Sequence, residues 1–353
     1  MKKNDWTHGA TNKLLIVAIV VGLVAIAVSS YAILNPSTNT IIVYRNSTTT
    51  VFVVKGYNIT SGLLEPPTSL SDAPVITQNQ SFGNRLTGIN APFNASELNI
   101  INNASNSYFE KAGEMFLNGT INNTVGASTK ALPLFIVNGK PTVIYLGSIT
   151  CIFCGENRWP MAMALSRFGS FSYLFKGYSS IGDGDMPTIY WAPAHYNISS
   201  TVLGDFYSSN YINLIAIEDA NPISGGFNLN PLSTMQQRIN QTNNVAYIDA
   251  MNYIISTNGF SGTPFTVWGA YEVGGADAVI FANNTSKQGT APLQHMTHAD
   301  VLNQLANPTD QFALSEYAAA DLYIAMVCKT LNNTPSVCTA IPSIVKIEAK
   351  LGL

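Results

Sequence analysis

Two cysteines three residues apart, Cys151 and Cys154, stand directly behind a short apolar run and open a segment of helical spacing. The run Thr142 to Leu146 is β-branched and aromatic, bounded by Lys140-Pro141 and Gly147-Ser148, which predicts a buried strand. From Phe153 to Phe168, the residues Trp159, Met163, Leu165 and Phe168 recur at roughly helical spacing. Strand, short loop and a dithiol at a helix N-terminus restrict the chain to folds that place a sulfur beside free N–H groups. There the helix dipole favours a thiolate on the first cysteine. An inert structural disulfide and a zinc site are the two other readings. Zinc wants four ligands, and the chain has no second Cys-x-x-Cys. His295 and His298 would add two, but His-x-x-His beside a helix start reads more simply as solvated surface.

At 353 residues there is ample length for a core without metal or many disulfides, in one large domain or two small ones. Charged residues make up 10%, far below the ~25% of an ordinary soluble domain. With a net charge of -3 and no Lys/Arg cluster among aromatics, no nucleic-acid partner is indicated. Leu14 to Leu34 carries no charge. At ~1.5 Å per residue it makes about 31 Å of helix, enough to cross a bilayer. Lys2, Lys3 and Lys13 precede it and no basic residue follows until Arg45. The bias makes 1–13 a cytoplasmic tail, 14–34 a single-pass anchor in the lipid bilayer and everything after Asn35 extracellular. A cleaved signal peptide, cut among Ala27 to Ala32, is the rival, and it too exports the bulk of the chain.

Twelve asparagines begin Asn-x-Ser/Thr without proline: Asn46, Asn58, Asn79, Asn94, Asn103, Asn118, Asn122, Asn197, Asn240, Asn283, Asn284 and Asn332. On an exported chain their density points to a glycan-coated surface. Scarce charge also suits an acidic exterior, where unpaired ammonium groups would repel one another. Thiol exchange there would demand a strongly depressed cysteine pKa.

Residues 35–93 read as a stalk with two β-like runs, Ile41 to Tyr44 and Val51 to Val54, and a Pro-rich stretch at Pro66-Pro67 and Pro74. Asn94 or Ser96 caps one expected helix through Leu98, Ile101, Tyr108, Ala112 and Met115. Asn138-Gly139 joins strands Leu132 to Val137 and Thr142 to Leu146 as a hairpin. Further strands are expected at Leu214 to Glu218, Phe265 to Trp268, Tyr271 to Val273 and Ala278 to Phe281. Helices are expected at Leu232 to Ile239, from the Thr297 cap to about Leu305, and over Asp310 to Leu331. Asp183 and Asp185 flank Gly184 in a plain turn rather than a calcium loop, since further ligands are missing. Trp159, Trp191 and Trp268 read as core or pocket wall.

A strand, a helix opened by Cys-x-x-Cys and a later Thr263-Pro264 before a strand together resemble the thioredoxin superfamily. The resemblance sharpens over Gly139 to Gly147, Cys151 to Trp159 and Ala164 to Gly169. Those segments, with Gly262 to Phe265, Leu302 to Pro308, Val327 to Leu331 and Pro335 to Cys338, are similar to a prokaryotic, typically archaeal or actinobacterial, membrane-anchored family. It is catalogued as domain of unknown function 929. The family often has proline directly after the first cysteine, where this chain has Ile152.

The resemblance implies an α/β, thioredoxin-like domain over 94–340, with a helical insertion at about 155–240 and a helical tail at 341–353. It implies Cys151 as nucleophile, Cys154 as resolving thiol, and Thr263, Pro264 and Phe153 as the edge that meets a substrate peptide. No cofactor or metal is implied. The expected partners are exported cysteine-containing proteins or a membrane redox partner, and the expected activity is thiol–disulfide exchange. A non-catalytic glycosylated envelope protein on the same fold is the alternative. Four cysteines in an exported chain also suggest that Cys328 and Cys338 form a structural disulfide, with a relay to the dithiol as the sharper option. Glu156 and Arg158, in the first turns after the dithiol, either tune Cys151 or face solvent.

Overall fold

The computed structural model describes residues 41–45, 50–54, 90–121, 130–148, 151–179, 186–191, 200–203, 206–219, 245–256, 263–274 and 293–353. Strands β1 (Ile41–Arg45) and β2 (Thr50–Val54) come first, followed by helices α1 (Ala95–Asn102) and α2 (Asn106–Leu117). Then come β3 (Lys130–Ala131), β4 (Leu134–Val137), β5 (Lys140–Ser148) and α3 (Ile152–Leu165). Short strands follow: β6 (Gly169–Phe171), β7 (Phe175–Ser179), β8 (Met186–Tyr190), β9 (Ser200–Leu203) and β10 (Tyr207–Ser209). The longer β11 (Asn213–Asp219), α4 (Val245–Ser256), β12 (Phe265–Trp268) and β13 (Tyr271–Gly274) complete the middle of the chain. Helices α5 (His298–Ala306), α6 (Gln311–Thr330), α7 (Val337–Ala340) and α8 (Ser343–Leu351) close it.

Strand β5 organises the rest. Residues 142–147 are all buried because alternate side chains enter separate cores: Val143 and Tyr145 on one face, Ile144 and Leu146 on the other. Along one edge β11 runs parallel, from Asn213 opposite Thr142 to Asp219 opposite Ser148. The other edge is shared between β4 at Lys140 and Pro141 and antiparallel β12 at Ile144 to Leu146. From there β13 and β3 continue antiparallel, β9 covers β11, and β2 pairs parallel with β4 and antiparallel with β1. The hairpin before β5 turns at Asn138 and Gly139, with φ of 48° and 79°, the left-handed pair such a turn requires.

Helices α3 and α6 cover the Val143/Tyr145 face, with α2, α5 and α8 outside them, whereas α4 covers the opposite face through Ala250, Met251, Tyr253 and Ile254. The first face is held by large rings. Trp268 stacks on Tyr323 with centroids 4.3 Å apart, and the Tyr323 hydroxyl donates to Asn157 Oδ1, tying β12 to α6 and α3. Helix α6 is buried from Ala313 to Cys328, and its alanines let α2, α3 and α8 approach.

The expected strands at 142–146, 214–218, 265–268 and 271–273 and the helices starting at Thr297 and Asp310 are present. Three expectations need correction. The region 155–240 is no helical insertion among the described residues: after α3 it holds β6 to β11. Its aromatic and β-branched stretches, broken by Gly and Ser, fit pleated pairs better than a helix. The single helix after Asn94 is two. Asn94 caps α1 in a box with Glu97, Ser105 caps α2, and Arg167 fills the break by donating to the Asn102 and Ala104 carbonyls at 2.8 and 2.6 Å.

The stalk boundary at 93 dissolves, since β2 joins the sheet through β4, and Asn90 and Phe93 are buried. The tail 341–353 is helical, as expected, and packs on the domain, with Ile344 and Ile347 in the main core and Lys350 Nζ donating to the Phe116 carbonyl at 2.9 Å. The span 14–34, the Pro-rich stretch, the helix at 232–239, the strand at 278–281 and the Asp183/Asp185 turn lie outside the described residues. Among the described residues no helix is long and apolar enough to cross a membrane.

Candidate dithiol site

Cys151 caps α3 with its own sulfur. Its backbone is extended (φ -74°, ψ 122°), and Sγ accepts from the Cys154 N–H at 3.3 Å. The sulfur fills the place usually taken by a serine or aspartate oxygen and satisfies one of the helix's free donors. On its other side the thiol donates to the Thr263 carbonyl at 3.7 Å, and the Thr263-Pro264 peptide is cis. The sheet causes this meeting: Phe265 pairs with Leu146, so the start of β12 and the end of β5 lie at one edge of the molecule.

Cys151, Cys154, Thr263 and Pro264 thus converge as a group. Cys151 is 9% exposed, Cys154 is sealed, and neither is in a disulfide. Phe153 is half-buried in the first turn, where its carbonyl accepts from Asn157 Nδ2 at 3.1 Å. The Cys151 pKa is lowered from 9.0 to about 7, chiefly by the Cys154 thiol, then by the Cys154 N–H and the Arg158 charge, with burial opposing.

Arg158 and Glu156 do not face solvent. Arg158 is wholly buried, and its Nε and Nη2 donate to Glu218 Oε1 and Oε2, each at 2.8 Å. Nη1 donates to Ser179 Oγ at 3.2 Å, and the guanidinium lies 5.6 and 5.7 Å from the Tyr145 and Tyr190 ring centres. Glu156, two residues after Cys154, is buried with Oε2 lacking a hydrogen-bond partner, and Glu316 on α6 is likewise buried with one unpartnered oxygen. Burial pushes Glu156 up to about 8, and burial and then Glu156 raise Glu316 well above the usual range.

The β7–β8 hairpin clamps the first turns of α3. Thr188 Oγ1 donates to the Gly155 carbonyl at 2.6 Å, and Trp159 Nε1 donates to the Pro187 carbonyl at 3.0 Å. Glycine at 155 permits this approach, because a Cβ there would stand 2.3 Å from Ser179 Oγ. His298, expected on solvated surface, is instead buried against Tyr178, Phe93 and Trp159, with Nε2 2.9 Å from the Thr188 carbonyl. Burial holds its pKa down at about 4. Among the described residues no three His, Cys, Asp or Glu side chains gather as a metal site.

Cys328 and Cys338 are joined as a disulfide, Cα to Cα 5.5 Å, and both are buried away from solvent. Of the sequons, Asn94, Asn103, Asn118 and Asn332 are exposed, and the other eight lie outside the described residues. Sequence reasoning missed Glu218, Ser179 and Tyr145 as neighbours of the dithiol. A signal for one of them was present: a carboxylate ending the apolar run Leu214 to Ile217 needs a buried partner.

A family model described as Domain of unknown function (DUF929) matches residues 131–329, more than half of the chain. The chain belongs to DUF929. No curated protein and no solved structure matches it. The DUF929 span runs from β3 into the end of α6 and takes in the dithiol, the Thr263-Pro264 turn and the Arg158–Glu218 pair. Helices α1, α2, α7 and α8 flank it, and Cys338 falls outside.

Proposed function

We propose that this DUF929 protein is a thiol–disulfide oxidoreductase of thioredoxin-like fold, anchored through 14–34 and facing outward. The observation that carries the reading is Cys151 Sγ at a helix N-cap, 3.7 Å from the carbonyl of the Thr263-Pro264 turn. Support for the fold comes from the strand sequence β11–β5–β12–β13, parallel then antiparallel, with α3 leaving β5 at the dithiol and α6 packed on the same face.

Exchange needs a reachable thiolate and a second thiol behind it. Cys151 attacks or is attacked at sulfur to give a mixed disulfide with an exported protein. Cys154 then displaces that protein, closing the Cys151–Cys154 disulfide and releasing the partner as a thiol. The chemistry calls for no cofactor. Thr263 and Pro264, with Phe153 alongside, form the edge that receives the partner's backbone, and the four exposed sequons suit a glycan-bearing exterior.

The test is capture in the full-length protein. Cys154→Ser leaves Cys151 unable to be resolved, so incubation with an oxidised two-cysteine peptide gives a stable adduct that peptide mass spectrometry places on Cys151. Cys151→Ser abolishes both adduct and turnover. Turnover that persists in Cys151→Ser, or a wild-type dithiol that never reacts, leaves the glycosylated scaffold as the reading.

A further inference from the structure

The charges beneath the dithiol are the part of the site that exchange alone does not require. Arg158 follows Cys154 by four residues and Cys151 by seven, so all three lie along one stripe of α3. Glu218 reaches the same place from β11. Leu214 and Ala216 face the α3 core, and strand alternation sets Glu218 on that face too, opposite Gly147 at the end of β5 that leads into the dithiol. A two-pronged contact at 2.8 Å on each side fixes the guanidinium, with Ser179 as a third hold. Both side chains are removed from water, at 0% and 2% exposure, where a charge acts on its neighbours with little screening.

We propose that Arg158, fixed by Glu218, is a positioning residue whose charge stabilises both cysteines as thiolates and makes the pair an acceptor of electrons from substrate thiols. The proposal rests on the exchange reading above and adds its direction. Arg158 figures among the groups that lower Cys151, and the Cys154 thiolate in turn favours the Arg158 charge. The other buried titratable groups around the stripe are pushed toward their uncharged forms. Burial raises the Tyr145 phenol, Glu156 and Glu316, and burial lowers His298.

A disulfide carries no charge, so a cation below it favours only the reduced side. A substrate thiolate attacks Cys151 Sγ of the closed pair, the S–S bond breaks, and Cys154 departs as a thiolate. A second substrate thiolate then attacks the substrate sulfur of the mixed disulfide, and Cys151 departs likewise. Two electrons pass from substrate dithiol to protein, the substrate leaves as a disulfide, and its two protons go to solvent or to the new thiolates. Both departures are faster for thiols of lower pKa. A further disulfide-bearing oxidant reopens the cycle by accepting those two electrons.

The experiment uses the full-length protein, the ultraviolet absorbance of the thiolate against pH, and equilibration with glutathione redox buffers. Arg158→Gln leaves Glu218 negative. It should raise the Cys151 midpoint by about one pH unit, roughly a tenfold loss of thiolate below the midpoint, and shift the glutathione equilibrium toward the protein disulfide. Glu218→Gln removes the carboxylate that faces Arg158 and should move both readouts the opposite way. Mere loosening of the fold would move them together. Should a single variant fail to fold because it strands a buried charge, the double variant Arg158→Gln/Glu218→Gln removes both charges and should still titrate above wild type.

Variants that leave the midpoint where it is, or single variants that shift it in the same direction, overturn the proposal while wild-type exchange stands. A wild-type dithiol that exchanges nothing, with the opposed titration shifts intact, overturns the exchange reading and the electron direction with it.

Discussion

At the scale of one residue, the sulfur of Cys151 does two jobs. It completes the α3 N-terminus by accepting from the Cys154 N–H, and at 9% exposure it is the cysteine of the pair nearer solvent, which the exchange reading requires. Those jobs reinforce each other, because an acceptor at a helix N-cap is a better acceptor when it is an anion. With the Cys151 pKa at about 7, capture by iodoacetamide should rise about tenfold per pH unit and level off near pH 7. The rate of adduct formation at Cys151 in the reduced full-length protein checks this. A plateau near 9 would mean that neither the Cys154 donors nor Arg158 act on the thiol. The cysteine pair and its Thr-Pro turn were legible because each is a short motif with fixed local consequences. Glu218 and Ser179 were not, since they come to Arg158 from 60 and 21 residues away and only the sheet register brings them there.

Elements tell the same story of local against distant information. The Asn138-Gly139 hairpin and the caps of α1 and α5 are local signals, and all three form, with Asn94 rather than Ser96 as the first cap and Thr297 as the second. The break between α1 and α2 was hidden because apolar spacing continues across it, and Arg167, from a distant turn, supplies the donors that stabilise it. The strands β6 to β10 were hidden for a related reason. They are three to five residues long, and their pairings, such as Tyr207 with Phe171, join segments far apart in sequence. Helix α7, by contrast, is held by a covalent link.

The Cys328–Cys338 bond closes a separation of 10 residues between α6 and α7. By loop entropy this contributes about 2–3 kcal/mol. Replacing both cysteines by alanine should lower the Tm by roughly 3–6 °C while leaving exchange at Cys151 intact, which differential scanning calorimetry and peptide turnover would report together. Turnover lost with the fold retained would instead make this pair a relay to the dithiol.

Across the whole molecule, scarce surface charge is matched by carboxyls kept inside. Glu156 and Glu316 lie on facing helices with unpartnered oxygens, and Asp321 on α6 is sealed with both oxygens unpartnered. Burial raises all three, Glu156 to about 8 from 4.5. The folded protein then holds a proton on Glu156 that the unfolded chain releases above about 4.5, so stability from this group is complete below that pH and is lost as pH rises toward 8. The loss is on the order of a few kcal/mol.

His298 works against it over part of the range. Its folded value of about 4 lies below the ordinary 6.5, so its contribution fades as pH falls through that interval. Just above 6.5 the raised carboxyls dominate and stability should decline; above about 7 Cys151, held below its ordinary 9.0, adds the opposite slope, so the decline weakens there. Denaturant unfolding of the full-length protein across pH 6.5 to 8 should show this slope, and Glu156→Gln, which cannot ionise, should reduce it. A flat wild-type curve, or a variant with the wild-type slope, would remove the buried acids from the account. The two pH dependences pull apart: Cys151 gains nucleophile up to about 7, while the fold that presents it is firmest in acid. A medium at about pH 5 would leave on the order of one Cys151 in a hundred ionised, so there the rate of exchange is limited by thiolate supply rather than by the integrity of the scaffold.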